Sequence, residues 1–102
     1  LEAKQQKVLN LLHLVRKAGK LKLGFDACER SVLSGKSKFL IYCSDLSKNT
    51  QNRLQNLLNE HKIKSQEFGT KSLFGNAFKT KDLGIISIED KNFASGIIRL
   101  IG

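Results

Sequence analysis

The chain has 102 residues, 40% of them apolar, and 18 Lys and Arg stand against nine Asp and Glu for a net charge of +9. That suits one folded domain over residues 1–102 and excludes a disordered chain. With no proline, no apolar run near the ~20 residues of a membrane helix and no cleavable signal pattern, it also excludes a proline-rich arm and predicts a cytoplasmic protein without a membrane partner.

The chain opens on Leu1 instead of methionine, which reads as a trimmed end. From about Ala3 to Ala18, Val8, Leu11, Leu12, Val15 and Ala18 recur at helical spacing, and Leu9 and Leu14 widen the apolar face. This predicts a helix touching the core on two sides, ended by Gly19. Lys20 to Leu23 alternates polar and apolar, the period of a half-exposed strand that Gly24 ends. A second helix is predicted from Phe25 to Ser34, with Ala27, Cys28, Ser31 and Val32 inward and Gly35 closing it.

Phe39 to Cys43 is a continuous apolar run, as in a strand covered on both faces. Ser44, Asp45 and Ser47 are turn and capping residues before a third helix to His61 carrying Leu54, Leu57 and Leu58. Ile63 to Phe68 is a weaker strand. Gly69 and Thr70 introduce a short helix with Leu73, Phe74 and Ala77 apolar, and a polar loop runs from Lys79 to Leu83. Gly84 to Ile88 is a strongly apolar strand. Glu89 and Asp90 stand where the last helix begins, and Phe93, Ala94, Ile97, Ile98 and Ile101 form its core face. Strict alternation of helix and strand predicts an α/β fold with helices on both faces of a mixed or parallel sheet.

The chemistry of catalysis is missing. Cys28, Cys43, His13 and His61 are scattered singly, without metal-ligand spacing. The two cysteines read as buried free thiols, His13 as a helix-edge residue and His61 as a residue suited to a helix C-terminus. There is no nucleophile elbow, phosphate-binding loop or dinucleotide fingerprint. The expectation is no catalytic residue, no metal, no cofactor and no small-molecule substrate.

Charge carries more information. Between positions 16 and 38 lie seven basic residues, Arg16, Lys17, Lys20, Lys22, Arg30, Lys36 and Lys38, opposed by Asp26 and Glu29, a local charge of +5. Gly24 sits inside this segment where a strand hands over to a helix. The first turn of that helix offers backbone N–H groups and a partial positive charge, and glycine allows close approach of a phosphate. Arg30 lies one turn beyond Asp26 on the same general side. A polyanion such as RNA is the partner this pattern suits.

The stretches "LLHLVRKAGKLKLGFDA" at Leu11–Ala27 and "SGKSKFLIYCSDLSKNT" at Ser34–Thr50, Gly69–Lys71 with Gly75, and the closing "SIEDKNFASGIIRLI" occur in an informative order. Together they resemble the ribosomal-protein family called L-seven-Ae/L-thirty-e, whose members bind kink-turn RNA, and within it the bacterial YlxQ-like branch. The resemblance implies a three-layer α/β/α sandwich with a four-stranded mixed sheet. It implies that Gly24, Phe25, Asp26, Ala27 and Arg30 face RNA, and the charge pattern adds Lys20, Lys22 and Lys36 to the candidate RNA-binding residues. It implies a second contact at Asp82, Leu83 and Gly84, with Leu83 packing on an exposed base. The family's Asn-Glu pair, which reads sheared G·A pairs, stands here as Asp26 and Ala27. Asp26 accepts only and the Ala27 side chain has no polar atom, so kink-turn selectivity is expected to weaken before RNA binding does.

The expected function is therefore a non-catalytic, ribosome-associated protein that binds structured RNA, ribosomal RNA in particular, as a monomer. Two alternatives are a protein-interaction module whose basic face meets an acidic partner, and an RNA-binding accessory domain with weak selectivity. Related folds also serve as substrate-binding halves of RNA methyltransferases, but 102 residues are expected to hold no cofactor fold beside this domain.

Overall fold

A computed structural model describes residues 2–102. Five helices alternate with four strands: α1 Ala3–Lys17, β1 Leu21–Leu23, α2 Phe25–Leu33, β2 Phe39–Tyr42, α3 Lys48–Glu60, β3 Ser65–Glu67, α4 Lys71–Phe78, β4 Ile85–Ile88 and α5 Lys91–Ile101. The strand order is β1-β4-β2-β3. β4 pairs antiparallel with β1 and β2, and β2 pairs parallel with β3, so the sheet is mixed. The expected fold class is borne out.

The registers explain the composition of the strands. Ile88 lies between Leu21 and Phe39, and Ile86 between Leu23 and Ile41. β4 is central and buried along its whole length, which is why it reads as a continuous apolar run. Alternate residues face opposite layers. Ser87 bonds to Ser31 of α2, so Ser87 and Ile85 face the α2 side and Ile86 and Ile88 face the other. α1 packs on α5, and the two cover that second face together. α3 reaches α2 through Arg53, and α4 reaches α1 through Phe78.

α1 buries Val8, Leu9, Leu12 and Val15, and Gly19 ends it with a φ of 73°, a conformation that suits glycine. Leu14 departs from expectation: it is 55% exposed, and Ala18 is exposed too. α1 touches the core through one stripe, because its far side faces solvent instead of a second layer. Three serines inside the molecule satisfy one another: Ser87 Oγ lies 2.9 Å from Ser31 Oγ and 2.8 Å from Ser37 Oγ. Ser31 Oγ also donates to Glu89 Oε2 at 2.6 Å. No helix among the described residues is long and apolar enough to cross a membrane.

Candidate nucleic-acid interface

The site starts from the glycine between β1 and α2. Gly24 has φ 90° and ψ 159°, a region that residues with a Cβ avoid. Its N–H donates to the Ile85 carbonyl at 2.9 Å, which pins the start of α2 to the start of β4. Its carbonyl accepts from Cys28 N at 3.0 Å, the first helical bond. With no side chain at the cap, the N–H groups of Phe25, Asp26 and Ala27 open outward uncapped. α3, α4 and α5 differ: Ser47, Thr70 and Asp90 accept from Thr50, Leu73 and Phe93 N–H.

Arg53 of α3 reaches across to this turn. Its guanidinium lies 4.0 Å above the Phe25 ring, and its Nη2 is 3.5 Å from Asp26 Oδ1. The Asp26 side chain is 80% exposed, so the ion pair is weak, and the stack over Phe25 is the more defined contact. Beside Phe25, a groove of about 380 Å³ is lined by Leu46, Thr50, Lys71, Asp82, Gly84 and Ile85 as well. Asp45 Oδ1 accepts from Lys71 N at 2.9 Å and Ser44 N donates to the Gly69 carbonyl at 3.0 Å, fixing the start of α4 beside the end of β2. The loop after α4 holds two non-glycine residues in the left-handed region, Lys79 at φ 54° and Asp82 at φ 51°.

On the other flank of α2, Lys22, Ala27, Arg30, Ser34, Lys36 and Glu89 line a depression of about 240 Å³. Among the described residues the one ion pair is Arg53–Asp26, which leaves the Lys22, Arg30 and Lys36 charges available to a ligand. Lys20 is exposed at the foot of β1 and lines neither depression; its carbonyl accepts from Glu89 N at 2.8 Å.

The fold thus gathers Gly24, Phe25, Asp26, Asp82 and Gly84 around the groove, and Lys22, Ala27, Arg30 and Lys36 on the adjoining flank. Leu83 requires a correction. Its side chain is 2% exposed and belongs to the core, so it is not an apolar surface waiting for a base. The chain turns inward one residue before β4, and the Leu83 carbonyl accepts from Cys43 Sγ at 3.5 Å. Arg53, Thr50 and Lys71 are the residues that sequence reasoning missed. Lys71 was within sight in the Gly-Thr-Lys segment, but nothing local marks Arg53 on a mostly polar helix.

The chemistry of this face is that of donors and cations, with Asp26, Asp82 and Glu89 the carboxylates at its rim. Burial pushes the Cys28 and Cys43 thiols up from the ordinary 9.0 to about 12, with the nearby Glu89 and Asp45 charges adding to the rise. Both therefore stay protonated near neutral pH and are poor nucleophiles. Among the described residues no group of three or more His, Cys, Asp and Glu side chains converges on a common metal position.

An α/β/α sandwich built on a four-stranded mixed sheet is the architecture implied by the L-seven-Ae/L-thirty-e resemblance. The comparisons agree with that resemblance, in that a YlxQ protein is among the proteins this chain is similar to. The RNA-binding protein YlxQ of Bacillus subtilis (strain 168) is 22% identical over 91 residues, spanning 89% of this chain and 91% of that protein. A protein of unknown function from Bacillus halodurans C superposes with a TM-score of 0.81 at 25% identity, over 93% of this chain and 96% of the other. The Giardia lamblia 15.5kD RNA binding protein shares the fold with a TM-score of 0.73 at 18% identity, over 100% of this chain and 88% of that one. No family model matches the chain.

Proposed function

We propose that this protein is a non-catalytic RNA-binding protein, acting as a cytoplasmic monomer on structured RNA of the kink-turn type, ribosomal RNA in particular. The observation that carries the reading is the uncapped first turn of α2 at Gly24, opening between a groove and three cations that have no ion-pair partner among the described residues. Phosphate oxygens accept from the Phe25, Asp26 and Ala27 N–H groups, where the helix dipole favours negative charge. Lys22, Arg30 and Lys36 neutralise neighbouring phosphates along the flank. A base unstacked by a bend enters the groove beside Phe25, with Lys71 at its rim. The names of two of the similar proteins, both RNA-binding, agree with this reading.

Asp26 and Ala27 supply little base reading, so most of the affinity comes from the RNA backbone. Binding to a kink-turn hairpin, and to a control with its G·A pairs replaced, is measured over a range of salt. Each phosphate neutralised steepens the slope of log affinity against log salt by about −0.7 to −0.9. Asp26→Asn with Ala27→Glu restores a donor and a carboxylate without changing the charge. That variant is expected to favour the kink-turn over the control by about 1 kcal/mol more than the parent does. Salt-independent binding, or none at low salt, overturns the proposal; an unchanged preference removes α2 as the reader of G·A pairs.

A further inference from the structure

We propose that the outer face of α1, where it meets the end of α4, is a stacking platform for an unpaired nucleotide of the bound RNA. This rests on the RNA-binding reading above and extends it to a single-stranded segment leading away from the α2 groove. His13 is exposed, and its ring centroid lies 4.7 Å from that of Phe78. Phe78 is only 4% exposed, so it is a fixed backing for the imidazole. The Arg16 guanidinium lies 5.5 Å from the same ring centroid. One buried ring therefore orders two surface side chains that would otherwise sample many rotamers, lowering the entropy lost on binding. Leu14, 55% exposed, extends the apolar floor, and His13, Leu14, Arg16 and Lys17 line a depression of about 320 Å³.

Charge and continuity name the occupant. No acidic residue occurs from Ala3 to Phe25, whereas Lys4, Lys7, Arg16 and Lys17 all lie on α1. Phe78 is the last residue of α4, and Lys79 begins the loop that returns to the groove. Lys71, Lys79 and Lys81 line the surface along that return with Asp82 the single acid among them, so the net charge from the groove toward the platform is positive. An aromatic surface flanked by cations takes the face of any base and its phosphates, without reading base edges. A duplex keeps its base faces to itself, and an acidic peptide would leave the ordered ring unused.

The test uses a kink-turn hairpin with and without a single-stranded tail of about eight uridines, and the free oligouridine. The tail is expected to tighten binding by about tenfold in the parent protein. His13→Ala with Leu14→Ser loses that gain and leaves affinity for the tail-less hairpin unchanged, while His13→Phe keeps it. A tail that adds nothing, or adds equally to the double variant, overturns the platform. A gain insensitive to His13→Ala but abolished by Lys17→Glu overturns stacking in favour of charge alone. If the tail-less hairpin fails to bind while oligouridine binds in a His13-dependent way, the α2 reading falls and the platform stands. Loss of both overturns both, and binding of an acidic peptide in place of oligouridine assigns the face to a protein.

Discussion

β4 has a helix start at each of its ends, and the two are finished differently. At the Ile88 end, Asp90 caps α5 by accepting from Phe93 N at 2.8 Å, and Glu89 is held by Ser31 at 2.6 Å and through its own N–H by the Lys20 carbonyl. At the Ile85 end, α2 begins on a glycine with nothing to offer its first turn. Both ends face the same shortage, since a helix cannot satisfy its first N–H groups from within. The α5 end meets it with the protein's own carboxylate, whereas at the α2 end no side chain does. A helix start completed internally is structural. One left open beside unpaired cations is where a function is to be sought.

The largest expected effect tests how dry the floor beneath the open end is. Cys28 lies in α2 one turn after Gly24, and Cys43 N donates to the Gly84 carbonyl beneath the groove. Both thiols rise to about 12 on folding. The unfolded chain sheds thiol protons from about pH 9 upward while the folded chain keeps them. The contribution to stability is thus whole below about pH 9 and is lost as pH climbs toward 12, by up to about 4 kcal/mol per thiol. Urea midpoints measured between pH 8 and about 11 should fall more steeply for the parent than for a Cys28→Ala, Cys43→Ala variant. Parallel slopes would show that water reaches the thiols.

A smaller effect sharpens the comparison directly, because each of the two helices carries an arginine. Arg30→Glu on α2 is expected to weaken RNA binding by about 2 kcal/mol, roughly thirtyfold. Arg99→Glu on α5 should cost no more than about twofold, the effect of net charge alone. Circular dichroism must first show both variants folded. Equal losses would mean that total charge governs binding and the open end has no special part.

The smallest effect is confined to the closed end. Asp90→Ala should destabilise the fold by about 1 kcal/mol, lowering Tm by about 5 °C, and leave RNA affinity where it was. A matching loss of RNA binding would erase the distinction between the two helix starts.

Much of this contrast was legible from residue patterns, because it is local. Gly24 after Leu23, and Asp90 before an amphipathic run, mark an open and a closed helix start from their immediate neighbours. The five helices and four strands likewise follow from short-range periodicity, with ends shifted by a residue or two. What failed depends on which layer lies across from a residue. Leu14 has the spacing of a core position, yet no second layer covers it. Leu83 sits in a polar loop, yet the loop dips inward before β4. Arg53 lies 27 positions beyond Asp26, and only the packing of α3 beside α2 brings its guanidinium over Phe25. Phe78, the last apolar residue of its helix, gains its place under His13 through an α1–α4 contact that no local pattern announces.

The loop after α4 is built against its own helix. Thr80 N donates to the Gly75 carbonyl at 3.1 Å, and the Thr80 carbonyl passes so near that a Cβ at position 75 would lie 2.8 Å from it. Backbone, not a yielding side chain, fills that space, so residue 75 has no alternative to glycine without moving the loop. Much of the loop's shape is therefore inherited from a helix a few residues earlier. Helix and loop are thus one mechanical piece, and a missing methyl group inside the helix sets the curve of the chain five residues later.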